Sequence, residues 1–357
     1  MSRLTLLPGL RRLWRDRYSL QLGTDPGRAV VLDLADARMV RVLDLLDGTR
    51  TTGAVLREAA RLGVPEEAAR TLLAVLGDAG LAVPTDALLP PELIEPVRRR
   101  LAGEAAALAL RGCAPGTPAE ALRRRTGAHV LVSGYGRLAA PIAAALAEAG
   151  VGHVDPALSG RAELADAGLG GLRPGDAGAW RSTAAGEAVI RVAPHASLRP
   201  LRDGTATFVV QAGAPRPAEL TALAYGRRQL PHLSVDLRDG LAVVGPLVPA
   251  AGSPCLNCLD LHRRDRDPAW PALAAQLSTS PGPAQPLATT TALIAVGYAA
   301  DEVLRFIDGG EPQTVGTMIE IAGPGRERRR SWTTHPRCGC GRRRRPSGRR
   351  GRQFSAE

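Results

Sequence analysis

The sequence predicts an α/β domain with a mostly parallel sheet, preceded by a small module in which a hairpin packs on three helices. Three observations carry that reading. Residues 128–155 spell a short apolar run, a Gly-Tyr-Gly turn, a small-residue helix and a second apolar run ending in an acid. Apolar strand-like runs then alternate with helical stretches for more than a hundred residues, the pattern of β-α-β units. Four of the five cysteines fall in two tight pairs near the end of the chain.

Taken in order, the first 83 residues read as the small module. The runs Tyr18–Leu22 and Ala29–Leu32 flank Asp25-Pro26-Gly27, whose turn chemistry makes them a hairpin. Helical periodicity follows at 35–46, 52–62 and 65–79, with Gly48, Gly63 and Gly80 placed where C-terminal caps belong. Val40, Leu43 and Leu46, and then Leu72, Leu73 and Leu76, give the helices apolar stripes. The economical arrangement is winged-helix-like. Residues 84–97, rich in Pro and acid, read as a linker, and helices are expected at 98–110 and 118–125.

The second domain, 98–341, is organised around Gly134-Tyr-Gly136-Arg-Leu-Ala139. This G-x-G-x-x-A follows a strand and opens a helix, the Rossmann-like arrangement. The first Gly allows the tight turn, the second lets backbone approach a phosphate, and a small third residue lets helix and strand pack closely. Asp155, about 20 residues on, is placed to accept a ribose hydroxyl. The same glycines are also what the crossover needs simply to pack, so the motif fixes the fold more firmly than it fixes nucleotide binding. Residues 156–187 show no periodicity. Strands are expected at 188–192, 206–210 and 233–237, with a helix at 217–228. An apolar run at 241–248, helices from 259 and over 289–307, and a strand at 314–321 complete the domain.

The formal charge of +11 suggests an acidic partner until its location is considered. From Arg326 to the C-terminus twelve Arg face only Glu327 and Glu357, so the body is nearly neutral and residues 342–357 read as a disordered Arg-rich tail. Aromatics are 3% of the chain, too few for a stacking platform on single-stranded nucleic acid. Nucleic acid is therefore an unfavoured partner. No apolar run approaches the roughly 18 residues of a membrane span, and the N-terminal apolar segment is too short for a signal peptide. A cytoplasmic protein is expected.

In a reducing compartment, Cys255-Leu-Asn-Cys258 and Cys338-Gly-Cys340 suit a tetrahedral zinc site closed by four sulfurs, structural rather than catalytic. A redox disulfide is the alternative. His335 is positioned either to replace one ligand or to stand behind them. Cys113 has no adjacent His and reads as an inert thiol. His153 and His232 read as core or edge histidines, and the charge run 261–268 as a solvated, self-paired helix face.

Together these features resemble the ThiF and ubiquitin-activating-enzyme superfamily over about residues 98–341. More narrowly, Gly245-Pro-Leu-Val, the stretch Ser253–Trp270, and Trp332 with His335-Pro-Arg-Cys-Gly-Cys look like the actinobacterial ThiF-like component of azoline-forming cyclodehydratases. In those proteins a module similar to the peptide chaperone PqqD binds the leader of a precursor peptide; residues 4–83 fit that module. The resemblance implies structural Zn2+, a homodimer, ATP at Gly134, Gly136 and Asp155, a precursor leader peptide as partner, and a partner modifying enzyme, for instance of YcaO type. Two departures bear on ATP. Active adenylating members carry an Asn, an Arg and a Lys after the second-strand Asp, whereas here the stretch reads Pro156-Ala-Leu-Ser-Gly-Arg161 and the chain has no Lys. They also end a later strand with an Asp that handles magnesium, and Phe208–Gly213 is followed by none. The expectation is thus a ThiF-like scaffold that presents a peptide without adenylating it, with no catalytic residue assigned. The alternatives are an active adenylyltransferase using Asp155 and Arg161, and a nucleic-acid-associated winged-helix protein.

Overall fold

The structure, a computed structural model, describes residues 3–34, 36–113, 115–201, 205–213, 218–250, 254–279 and 286–340. The expected Arg-rich tail lies outside them. The chain forms two compact units, Met1–Arg125 with Asp308–Gly310, and Thr126–Ile307 with Glu311–Glu357.

The first unit holds β1 (Arg3–Leu6), β2 (Arg12–Trp14), β3 (Ser19–Leu22), β4 (Val30–Asp33), α1 (Val40–Asp44), β5 (Asp47–Thr51), α2 (Thr52–Arg61), α3 (Glu66–Asp78), β6 (Ala82–Pro84), α4 (Thr85–Leu88), α5 (Glu95–Arg111) and α6 (Pro118–Gly127). Two antiparallel sheets run β5-β1-β6 and β2-β3-β4. Alternation is clean on β3, where Leu20 and Leu22 are buried with Leu32, Val42, Leu43, Val55 and Leu76, while Ser19 and Gln21 face outward. The expected hairpin is present as β3 and β4, extended by β2. Gly48 does not cap a helix but lies in β5. Residues 84–97, expected as a linker, are folded in: Leu88 is buried against Leu7, Leu101 and Leu122. A charged cluster closes this unit. Arg125, 2% exposed, reaches Glu104 at 2.7 Å and Asp308 at 2.7 Å, so its desolvation is offset by two carboxylates.

The second unit contains β7 (His129–Gly134), α7 (Ala139–Glu148), β8 (His153–Leu158), α8 (Arg181–Val192), β9 (Phe208–Ala212), α9 (Ala218–Arg227), β10 (His232–Arg238), β11 (Leu241–Val248), α10 (Leu256–Arg266), α11 (Trp270–Thr279), α12 (Thr289–Ile307), β12 (Thr317–Ile321) and β13 (Glu327–Ser331). They build one seven-stranded sheet, β13-β12-β11-β10-β9-β7-β8. It is parallel from β8 to β10 and antiparallel from β10 to β13. The sheet is therefore mixed, an α/β layer whose parallel half carries the crossovers. Eight of the ten α7 residues are buried, as the Ala-rich sequence demands of a helix packed against β7, β8, α8 and α12. The expected strand at 188–192 is instead the last turn of α8: Ala184, Ala188 and Val189 share one buried helical face, a period the short apolar run concealed. Among the described residues no helix is long and apolar enough to cross a membrane.

Candidate functional site

The strand order reverses at β7, which has β8 on one side and β9 on the other, and the carboxyl ends of these strands open a crevice. A cleft of about 1400 Å³ occupies that position. Tyr135 and Gly136 line it after β7, Ser159 and Gly160 after β8, Gly213 after β9, and Asp236 to Asp239 at the end of β10. α10, α11, β12 and β13 supply the opposite wall through Arg263, Arg266, Trp270, Leu273, Glu320 and Arg330.

The two glycines of the turn do different work. Gly134 has φ +110°, and a Cβ there would stand 1.8 Å from the Ala212 carbonyl oxygen, which also accepts the Tyr135 N–H at 3.1 Å. It is glycine so that β7 and β9 can meet. Gly136, φ +97°, has open space where a Cβ would be, and it lines the cleft. Its backbone is the one that a phosphate can approach. Ala139 is fully buried, the small residue that lets helix and strand pack closely. Beside the turn, Tyr135 is 42% exposed and its ring lies over Gly213, 3.0–3.2 Å from where a Cβ would sit.

Asp155 is placed elsewhere. β8 continues past it through Pro156 to Leu158, so Asp155 sits mid-strand opposite Leu131, and its Oδ2 accepts the Leu201 N–H at 2.6 Å. It does not line the cleft; Ser159 and Gly160 hold the strand-end position. Pro156 suggests a strand end in the sequence, but β8 is the last strand of the sheet, where a missing N–H is tolerated. Arg161 also lies off the cleft, stacked on Trp180 at 4.5 Å and bonded to the Gly178 carbonyl at 2.7 Å.

The cleft's charges are largely self-compensated. Arg181 donates to Asp166 at 2.9 Å and Glu163 at 3.3 Å, and Arg330 meets Glu320 at 2.8 Å. Arg137 is different: its guanidinium donates to the Leu287 carbonyl and the Thr289 hydroxyl, and it has no carboxylate partner among the described residues. At the end of β9 stands Gln211, neutral and 4% exposed, accepting the Tyr225 hydroxyl at 2.7 Å. The site offers a phosphate an open backbone at Gly136 with Arg137 beside it, and Arg266 on the far wall. It offers magnesium no acid at that strand end, and residues 214–217, outside the described set, read Ala-Pro-Arg-Pro.

The two cysteine pairs meet as the sequence predicts. The Sγ atoms of Cys255, Cys258, Cys338 and Cys340 all lie within 4.8 Å of one another. The separations are 3.9 Å for Cys255–Cys258, 3.6 Å for Cys255–Cys338 and 3.3 Å for Cys258–Cys340. Sulfurs at the corners of a tetrahedron with arms of about 2.3 Å stand about 3.8 Å apart, whereas a disulfide needs about 2.0 Å. The cluster could hold a metal ion. Hydrogen bonds from Cys255 and Cys340, with the His335 N–H behind them, hold the Cys258 thiol well below its usual range, while the shared proton pushes Cys255 up. Such a set concentrates thiolate character that a cation would stabilise. His335 is 3% exposed and does not join the four sulfurs: its Nε2 meets Asp265 Oδ2 at 2.8 Å and its Nδ1 accepts the Arg337 N–H, which fixes the loop that carries Cys338. Cys113 belongs to the first unit, and its thiol is pushed up by burial.

No protein-family model matches the sequence, and no curated protein matches it. Solved structures do. A structure of E. coli MccB with MccA-N7isoASN shares 16% identity, covers 96% of this chain and 100% of its own, and has a TM-score of 0.64. The same enzyme with ATP gives 15%, 94%, 99% and 0.63, and PaaA gives 17%, 91%, 98% and 0.63. The chain shares the fold of these proteins. With that fold established, the cleft falls at the crevice such α/β sheets use for ligands, and the cysteine cluster joins the start of α10 to the C-terminal loop.

Proposed function

We propose that this chain is a ThiF-like scaffold that binds a precursor peptide and presents it to a separate modifying enzyme, without adenylating it. The observation that carries the reading is the charge state of the cleft. Adenylyl transfer works by positioning phosphates and neutralising their charge. Here Arg181 and Arg330 are already neutralised by carboxylates, Gln211 and Gly213 stand at the end of β9, and the chain has no Lys. MccB, whose structures include one with the N-formylated MccA peptide, supports the peptide context.

The peptide-binding surface is the β2-β3-β4 sheet of the first unit. Leu34 N–H bonds to the Tyr18 carbonyl, so the even-numbered residues of β4 face β3 and the backbone groups of Val31 and Asp33 point to the open edge. That edge is a template for strand addition. The four cysteines, in this reading, hold a structural zinc. Pyrophosphate exchange with ATP and magnesium tests the proposal: no exchange is expected, and exchange together with tight ATP binding would overturn it.

A second reading, an active adenylyltransferase acting on a peptide carboxylate, is favoured by Gly136 and Arg137, an open backbone beside a cation without a carboxylate. On that reading Arg137→Gln abolishes exchange.

A further inference from the structure

A smaller niche opens beside the cleft, on the wall that α10 shares with β13. It measures about 380 Å³ and is lined by His262, Arg266, Arg330, Ser331, Trp332 and Thr333. None of the glycine-turn residues contributes to it. Among the described residues every charged group in that lining is basic.

The donors there are only partly used. His262 is engaged, its Nε2 lying 2.9 Å from the Thr333 carbonyl, so its N–H is spent on backbone and the ring serves as a wall. Arg330 is engaged by Glu320. Arg266, exposed at the end of α10, has no carboxylate partner among the described residues. Its sequence neighbours are committed elsewhere, Asp265 to His335 and Arg337, and Asp267 to the Ala269 N–H. Trp332 Nε1 is buried with no hydrogen-bond partner among the described residues, although its ring is fixed 5.9 Å from His262 and its backbone N–H is bound to the Gly316 carbonyl. A buried indole N–H left unpaired costs free energy that an acceptor within reach would recover. The Ser331 and Thr333 hydroxyls complete the rim.

A concavity with one unspent guanidinium, two hydroxyls and, among the described residues, no acid, walled by a tryptophan whose indole N–H is unpaired, selects against cations and for oxygen anions. We infer that this niche binds an oxyanion, a phosphate or a carboxylate, as a subsite separate from the glycine turn. Trp332 and His262 flank the group that carries it. The inference does not depend on the peptide reading, because free anions are its ligands.

The experiment follows the four tryptophan indole N–H resonances of the full-length, metal-loaded protein by NMR during titration with inorganic phosphate and, separately, with acetate. The Trp332 resonance, assigned with Trp332→Phe, is expected to shift and saturate while those of Trp14 and Trp180 stay in place. Whichever anion saturates at the lower concentration names the source, phosphoryl group or carboxylate. Arg266→Gln should weaken the response about tenfold, the loss of one charge-assisted contact, and Arg266→Lys should restore part of it. Metal content and circular dichroism, unchanged in both variants, separate lost binding from lost folding. The inference is overturned if neither anion moves Trp332 to saturation, or if Arg266→Gln binds as the parent does.

Discussion

Gly134→Ala and Gly136→Ala are the same chemical change two residues apart, and the structure assigns them different outcomes. Both positions have positive φ, +110° and +97°, so each Ala brings backbone strain of roughly 1–3 kcal/mol. At Gly136 the account ends there, because a Cβ meets nothing within 4 Å. At Gly134 the new Cβ would lie 1.8 Å from the Ala212 carbonyl oxygen and 2.9 Å from its carbon, both backbone atoms of the neighbouring strand. Relief requires β7 and β9 to separate. That adds an overpacking cost of roughly 1–3 kcal/mol and removes the Tyr135 N–H bond to Ala212, about 1 kcal/mol more. Against a stability of about 5–15 kcal/mol, Gly136→Ala leaves a folded protein whereas Gly134→Ala loses a large share of the total. For a unit of this size each kcal/mol moves the melting temperature by about 2–4 °C. Calorimetry should show a Gly134→Ala midpoint lower than that of Gly136→Ala by several degrees, or no folded Gly134→Ala at all. Equal midpoints would refute the assignment of Gly134 to strand packing.

Three further outcomes are expected. Purified protein should carry one zinc per chain by elemental analysis; Cys258→Ser should lose it, and a strong chelator should lower the melting temperature, because metal affinity is folding free energy. His232, 2% exposed, donates Nδ1–H to the Leu230 carbonyl and has no partner at Nε2 among the described residues, and burial lowers its pKa from 6.5 to about 4. The folded state resists protonation, so this stabilisation is complete above pH 6.5 and is lost as pH falls toward 4, to a limit of about 3 kcal/mol. Urea midpoints measured across that window should fall, and His232→Phe should flatten that part of the profile; a steeper one would contradict it. Finally, Val31→Pro removes an outward-facing N–H from β4 without touching the β3 ladder. Binding of a display-selected peptide should weaken by tenfold or more with the melting temperature nearly unchanged, and undiminished binding would remove β4 as the peptide edge.

What could be read from the sequence follows the range of the interactions involved. The crossover at 128–155 was legible because strand, turn, helix and small-residue contacts are local, and the cysteine pairs because thiol spacing is a chemical pattern independent of the intervening fold. Residues 188–192 misled because five apolar, partly β-branched residues fit a buried strand as well as a helix end, and only the packing of α8 on α7 and β8 separates the two. The surroundings of Asp155 were hidden for a related reason: that β8 continues through Pro156 to Leu158 depends on its being the last strand of the sheet, which is a long-range property. The cleft's far wall was beyond reach, since Arg266, Glu320, Arg330 and Trp332 are spread over more than sixty residues and become neighbours only when the antiparallel half of the sheet forms. Those are the residues that decide how the cleft is charged. The glycine turn tells which fold the chain adopts, whereas the long-range pairs Arg181–Asp166 and Arg330–Glu320, with Arg137 and Arg266 left over, tell what that fold can still bind.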